Sequence, residues 1–247
     1  MQDVVIITGA SSGLGLELVR SLRHEFHVVA VSRYRRRLRS LMKELAPNRL
    51  IHVRGSVAEP RTVTRAFEAA RMLGGALAVV INCAGEARLM PAGACSAADL
   101  RSMIDANVVG LMGFSEAAIK EFQTQGSGLL INILSTSALR VRSGEAIYSA
   151  TKWAARIYTE AAQDTCRDTP IRILAVYPGG MKTPLWRRNR HVKGLDSATL
   201  IAPELVAGRL VRFIRRPTGV KRMVIRRSQR PRLISPPHGC VSPRIHS

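Results

Sequence analysis

Near its start the chain carries four consecutive β-branched residues, Val4-Val5-Ile6-Ile7. A strand that is apolar on both faces has to be covered on both faces, as happens when helices pack above and below a parallel sheet. The signature returns at Val79-Val80-Ile81, and weaker apolar runs recur along the chain. Strands are expected at Val4 to Thr8, Phe26 to Ser32, Leu50 to Arg54, Leu77 to Asn82, Leu129 to Ser135, Arg172 to Tyr177 and Met223 to Arg226. Between them, Gly13 to Arg23, Arg35 to Ala46, Thr62 to Leu73, Ala97 to Phe122 and Ala150 to Thr165 place apolar residues three and four apart, the period of a helix with one buried stripe. Strand and helix alternate, so the expected fold is α/β, a single doubly wound sheet of seven parallel strands with helices on both faces. With 247 residues, 46% of them hydrophobic, the chain can bury one sizeable core, and one domain over residues 1–227 is expected.

The charge balance first suggests a polyanion, since 38 basic residues face 17 acidic ones for a net charge of +21. The cations, however, are 32 Arg and 6 Lys, gathered at Arg33 to Lys43, at Lys182 to Lys193 and after Glu204. Aromatic residues, which would stack on bases, make up only 4% of the chain. Solvated surface charge accounts for most of the excess, and nucleic acid is not the expected partner. No apolar run reaches the roughly 18 residues of a membrane-spanning helix, so a membrane is not expected either. Met1-Gln-Asp runs straight into a strand, which predicts no signal peptide. Cys83, Cys95, Cys166 and Cys240 are too sparse for a disulfide framework and lack metal-ligand spacing, so a reducing cytoplasm is the expected location and no metal is expected. Ser228 to Ser247, with four prolines and no acid, reads as a basic, disordered tail.

Directly after the first strand stands Thr8-Gly9-Ala10-Ser11-Ser12-Gly13-Leu14-Gly15, leading into Leu16-Glu17-Leu18-Val19. Glycines in a strand-to-helix turn let the backbone approach a pyrophosphate, and the helix N-terminus offers free N–H groups and about half a positive charge. The spacing is Gly-x-x-x-Gly-x-Gly, with Leu18 where the commoner Gly-x-Gly-x-x-Gly pattern needs its third glycine. A flexible loop capped by Ser11 or Ser12 is the plainer alternative.

Further motifs follow in order: Asn82-Cys83-Ala84-Gly85 after the fourth strand, Asn107 in a helix, Ser135 ending the fifth strand, Tyr148-Ser-Ala-Thr-Lys152, and Pro178-Gly179 after the sixth. With the glycine turn, their order and spacing resemble the short-chain dehydrogenase/reductase family over residues 1 to about 227, in particular its NADP(H)-preferring carbonyl reductases and 3-oxoacyl carrier-protein reductases. The resemblance implies a Rossmann-type sheet, a homotetramer or homodimer, and a nicotinamide dinucleotide across the carboxyl ends of the strands. It implies that Gly9, Ser11, Ser12, Gly13, Leu14, Gly15, Asn82, Ala84, Gly85, Tyr148, Lys152, Pro178, Gly179 and Thr183 hold that dinucleotide, Thr183 by hydrogen-bonding the carboxamide of the nicotinamide. Similar proteins often carry Asp-Val after the third strand to meet the adenine; here Ser56-Val57 stands instead.

An acid at the end of the second strand would bind the adenosine ribose hydroxyls and repel a 2′-phosphate. This chain has Ser32 there, followed by Arg33, which offer a hydroxyl and a guanidinium to a dianion, so NADP(H) is the expected cofactor. Tyr148 and Lys152, four apart, share one helix face. An ammonium about 4 Å from a phenol is worth on the order of 4 kcal/mol at an effective dielectric of 20, enough to lower its pKa by about three units. The resemblance implies Tyr148 as general acid and base, Lys152 as its modulator and ribose ligand, Ser135 as the hydroxyl that holds the substrate oxygen, and Asn107 as the residue that kinks its helix and holds a water for Lys152. Thr136 and Ser137 are alternatives to Ser135, and a satisfied core amide is the alternative for Asn107.

The segment 184–202 lacks periodicity and is the expected substrate lid. Arg187, Arg188, Arg190, His191 and Lys193 make it basic, and Trp186, Arg187 and Arg188, with Ser137, are the candidate substrate contacts. Reduction of a small-molecule ketone or aldehyde, one with an acidic or carrier-linked handle, is the expected activity. A catalytically silent NADP(H)-binding sensor or a nucleic-acid-binding regulator on the same fold is the rival.

Overall fold

The computed structural model describes residues 2–34, 38–44, 49–140, 142–189 and 200–226. Strands β1 (Val4–Thr8), β2 (His27–Ser32), β3 (Leu50–Arg54), β4 (Leu77–Asn82), β5 (Gly128–Ile133), β6 (Ile171–Pro178) and β7 (Arg222–Ile225) form one sheet in the order β3-β2-β1-β4-β5-β6-β7. Every pairing is parallel, as the doubly apolar runs required. After β3 the chain crosses back over β2 and β1 to lay β4 on the other side of β1. That reversal opens a crevice at the carboxyl ends of β1 and β4, where ligands bind in sheets of this kind.

Helices α1 (Gly13–Leu22), α2 (Leu38–Glu44), α3 (Pro60–Met72), α4 (Ala97–Ile104), α5 (Gly110–Gln125), α6 (Ala146–Thr165) and α7 (Pro203–Arg215) cover the sheet. The alternation of side chains along β1 divides the core in two. Val5 and Ile7 join Leu18 and Leu22 of α1 and Leu210 and Ile214 of α7, whereas Val4 and Ile6 join Phe67 of α3 and Phe114 and Phe122 of α5. All four β1 side chains are fully buried.

Three features differ from the sequence reading. The expected helix from Ala97 to Phe122 is interrupted by five residues of π-helix, Asp105–Val109. α6 begins at Ala146, four residues before the expected Ala150, which places Tyr148 in its first turn. α7 was not expected at all: Val206, Leu210, Phe213 and Ile214 form its buried stripe, but four arginines between residues 209 and 216 made the stretch read as solvated charge. Of the expected lid, Pro184–Asn189 form a short 3-10 helix and Ile201 pairs with Met181. Residues 190–199, Arg35 to Arg37 and the expected tail, 228–247, lie outside the described residues.

Candidate functional site

A cleft of about 660 Å³ opens at the carboxyl ends of the central strands. Its floor is the turn between β1 and α1. Gly9 has φ +67°, and a Cβ there would stand 2.8 Å from the Ala84 backbone, so the turns after β1 and β4 touch through a missing side chain. A Cβ on Gly15 would lie 2.4 Å from the Gly9 carbonyl oxygen. The first turn of α1 is therefore folded tightly over its own entry, and Gly15 does not itself line the cleft. Gly9, Ser11, Ser12, Gly13 and Leu14 do. Ser12 precedes α1 in an extended conformation and makes no side-chain cap. The helix N-terminus therefore keeps its positive end toward the cleft.

The turn after β4 is fixed by Thr8, whose Oγ1 accepts the backbone N–H groups of Cys83 (3.0 Å) and Ala84 (3.1 Å). Ala84 and Gly85 line the cleft. Asn82, expected to hold the dinucleotide, does not. It is buried beneath the turn, where Nδ2 donates to Leu111 O, Ser115 Oγ and Asn132 Oδ1, and Asn132 in turn donates to Thr159 Oγ1. This polar chain ties β4 and β5 to α5 and α6.

Ser135, Tyr148, Lys152 and Asn107 all border the cleft. Tyr148 is buried and hydrogen-bonded to Ser135, whose Oγ also accepts the Ser137 N–H. Lys152 Nζ donates to the Ile133 carbonyl at 3.2 Å, anchoring the ammonium to the end of β5. A methyl group on Gly85 would stand 3.1 Å from Asn107 Oδ1 and 3.7 Å from Lys152 Nζ, so both groups face the turn after β4. Asn107 is fully buried in the π-helical segment. Its Oδ1 accepts the Glu86 N–H (2.9 Å), and its Nδ2 donates to the Glu86 carbonyl (2.8 Å) and to Thr151 Oγ1 (3.0 Å). Thr151 donates onward to the Tyr148 carbonyl. One amide thereby joins the turn after β4 to the first turn of α6.

The electrostatics correct one expectation. Burial pushes the Tyr148 phenol up to about 12, with Ser135 opposing and Glu145 adding to the shift. Burial also drives Lys152 down to about 8. The low dielectric that would strengthen their coupling first penalises the charged form of each. Cys83, beside Lys152, is likewise raised to about 12 by burial.

At the end of β2, Ser32 and Arg33 line the cleft. The Ser32 hydroxyl donates to the Tyr34 carbonyl and lies 3.0 Å from His52 Nε2. Arg33 is ion-paired with Glu86 at 2.7 Å. Gly55, Ser56 and Val57 complete that wall, and Pro178, Gly179 and Thr183 form the wall at β6. Ser137 is not in the cleft, because its hydroxyl is buried and donates to Glu145 at 2.6 Å. Trp186, Arg187 and Arg188 stand on the 3-10 helix beside Leu185, itself a lining residue.

Sequence reasoning missed Glu86 and Arg88, which project into the cleft from the turn after β4, and Asn189. Asn189 accepts the Leu89 N–H and donates to the Ala87 carbonyl, clasping the end of the 3-10 helix to that turn. No local periodicity marks these residues: Glu86 pairs with Arg33, Arg88 with Asp99, and Asn189 with Leu89 and Ala87, partners between 11 and 102 residues away.

Comparison with known proteins agrees with this architecture. The family model described as short chain dehydrogenase matches residues 3–194. An uncharacterized oxidoreductase of Staphylococcus aureus (strain USA300) is 31% identical over 184 residues, which is 74% of this chain and 79% of the relative. Among solved structures, an alcohol dehydrogenase from the archaeon Thermococcus sibiricus, complexed with 5-hydroxy-NADP, superposes with a TM-score of 0.82 at 23% identity, over 94% of this chain and 99% of that one. A serine dehydrogenase from Escherichia coli gives a TM-score of 0.75 at 24% identity, over 90% and 96%. With that match and that relative, this chain belongs to the short chain dehydrogenase family of oxidoreductases.

Proposed function

We propose that the chain is an NADPH-dependent reductase that converts a ketone or aldehyde to an alcohol, with Tyr148 as proton donor. The observation that carries this reading is the Tyr148 phenol, hydrogen-bonded to Ser135 inside a cleft that also holds Lys152 and an uncapped helix N-terminus. The residues fit a nicotinamide dinucleotide: the glycine turn gives a pyrophosphate access to backbone N–H groups, and Arg33 offers a 2′-phosphate a guanidinium with no acid at the end of β2. Bound there, such a group supplies the hydride.

The chain's own residues do the rest. Ser135 holds the carbonyl oxygen by hydrogen bonding, and Tyr148 gives it a proton as negative charge develops. A phenol raised to about 12 keeps its proton through the neutral range, which is the form reduction needs. Lys152, fixed on the Ile133 carbonyl, provides a positive field and ribose contacts. Asn107 holds the Tyr148 helix against the turn after β4 through Thr151 and Glu86. Thr183, with Pro178 and Gly179, orients the nicotinamide. The basic 3-10 helix bearing Trp186, Arg187 and Arg188 favours a substrate with an acidic handle.

The test is a panel of neutral and acidic ketones and aldehydes with NADPH, comparing the wild type with Tyr148→Phe, alongside a fluorescence titration of NADPH binding. Turnover in the wild type that is lost in the variant, with NADPH binding kept by both, is the expected result. Binding without turnover of any carbonyl compound would favour a nucleotide sensor.

A further inference from the structure

Arg33 follows β2 and Glu86 follows β4, and β1 with its glycine turn runs between them. The 2.7 Å ion pair of these two residues therefore bridges the cleft across the turn that forms its floor. Glu86 is no ordinary surface acid. Its backbone N–H and C=O are both held by the buried Asn107 amide, so its side chain leaves from a fixed point, and that side chain is only 14% exposed.

The two carboxylate oxygens have unequal partners. Oε2 accepts from Arg88 at 2.9 Å, and Arg88 is 12% exposed and locked by further bonds to the Ala87 carbonyl and to Asp99. Oε1 accepts from Arg33, whose side chain is 57% exposed. The inner pair is built into the fold, and the outer pair is exchangeable. If a phosphate took Arg33, the Glu86 carboxylate would keep its charged partner Arg88, so no buried charge would be stranded.

We propose that Glu86 sets how strongly the chain discriminates between phosphorylated and unphosphorylated dinucleotides, by holding Arg33 until a 2′-phosphate displaces it. The proposal rests on the reading of Arg33 as the 2′-phosphate ligand. Glu86 and the phosphate are rivals for one guanidinium: the carboxylate lowers the affinity for NADPH and has far less effect on NADH, which brings no anion to that position. Glu86 is thus a specificity-determining residue outside the glycine turn and outside the end of β2.

The experiment is a double-mutant cycle read by fluorescence titration of NADPH and NADH on wild type, Glu86→Gln, Arg33→Ala and the double variant. Glu86→Gln should bind NADPH about fivefold more tightly, the upper range for an ion pair with one exposed partner, and NADH within twofold of wild type. In the Arg33→Ala background that gain should vanish. An unchanged NADPH-to-NADH affinity ratio in Glu86→Gln, or a gain that persists without Arg33, overturns the proposal while leaving the cofactor reading intact. If Arg33→Ala alone leaves NADPH affinity unchanged, the reading of Arg33 fails, and the proposal with it. Should Glu86→Gln not fold, Glu86→Asp keeps a charge for Arg88 on a shorter arm, and the same gain, dependent on Arg33, is expected of it.

Discussion

The turns after β1 and β4 meet at the floor of the cleft, yet they are built by opposite means. The first is made of backbone: Gly9 and Gly15 have no room for a side chain, and the uncapped start of α1 faces the cleft. The second is made of side chains sent from elsewhere. Thr8 holds its start, Asn107 holds Glu86 on both backbone polar groups, and Asn189 holds Ala87 and Leu89. A surface built from backbone suits a ligand group common to many nucleotides, and a surface held by long-range hydrogen bonds can be tuned to one substrate or cofactor.

Substitutions that break one turn should spare the other. Gly15→Ala should be the most damaging to the first, because its Cβ would lie 2.4 Å from a backbone oxygen that no rotamer can clear. A loss of about 3 kcal/mol in chemical denaturation is expected from the forced backbone shift, with dinucleotide affinity falling about a hundredfold because the N–H groups move. Wild-type affinity in Gly15→Ala would show that the turn tolerates displacement. Asn107→Ala attacks the second turn. It strands the N–H and C=O of Glu86 and should cost about 2 kcal/mol, with dinucleotide affinity much less affected than in Gly15→Ala. Equal loss of affinity in the two variants would erase the contrast between the turns.

The same contrast explains what could be read from the sequence. The β1 run, the glycine turn and the Tyr148–Lys152 pair were legible, because burial on both faces, strand-to-helix turns and four-residue spacing leave local marks, whereas Ser135 was implied by the family resemblance. Asn82 carried the right neighbours, but its side chain turned into a polar network whose members, Ser115, Asn132 and Thr159, no spacing rule connects. Ser137 was one residue pair away from Ser135, and only the position of Glu145 decides that its hydroxyl leaves the cleft. α7 was hidden because long arginine side chains on its wet face outweighed a stripe of four apolar residues in the composition of the window. The sequence also implied an acidified phenol, whereas desolvation, which depends on the assembled core, moves it the other way.

Lys152 Nζ faces the turn after β4, and its burial predicts an effect of opposite sign. Its amine titrates near 8 in the folded protein against 10.5 as a free group. Below about pH 8 the folded state carries a buried cation at a cost. Between pH 8 and 10.5 the folded state has released the proton and the unfolded state still binds it, so wild-type stability rises with pH across that window. Lys152→Met should therefore be stabilised by about 2 kcal/mol at pH 7, after allowing for the lost bond to Ile133, and the gain should fade towards pH 10.5. A pH-independent difference in denaturation midpoint would mean that the amine is not desolvated.

The proton-donor role of Tyr148 is tested most directly by single-turnover oxidation of saturating NADPH at pH 7 with a carbonyl substrate found in the panel, in wild type and in Tyr148→Phe. The prediction is a rate lower by on the order of 10³-fold in the variant, with the dissociation constant for NADPH within twofold of wild type. A rate within tenfold of wild type would contradict it and move the proton to another group.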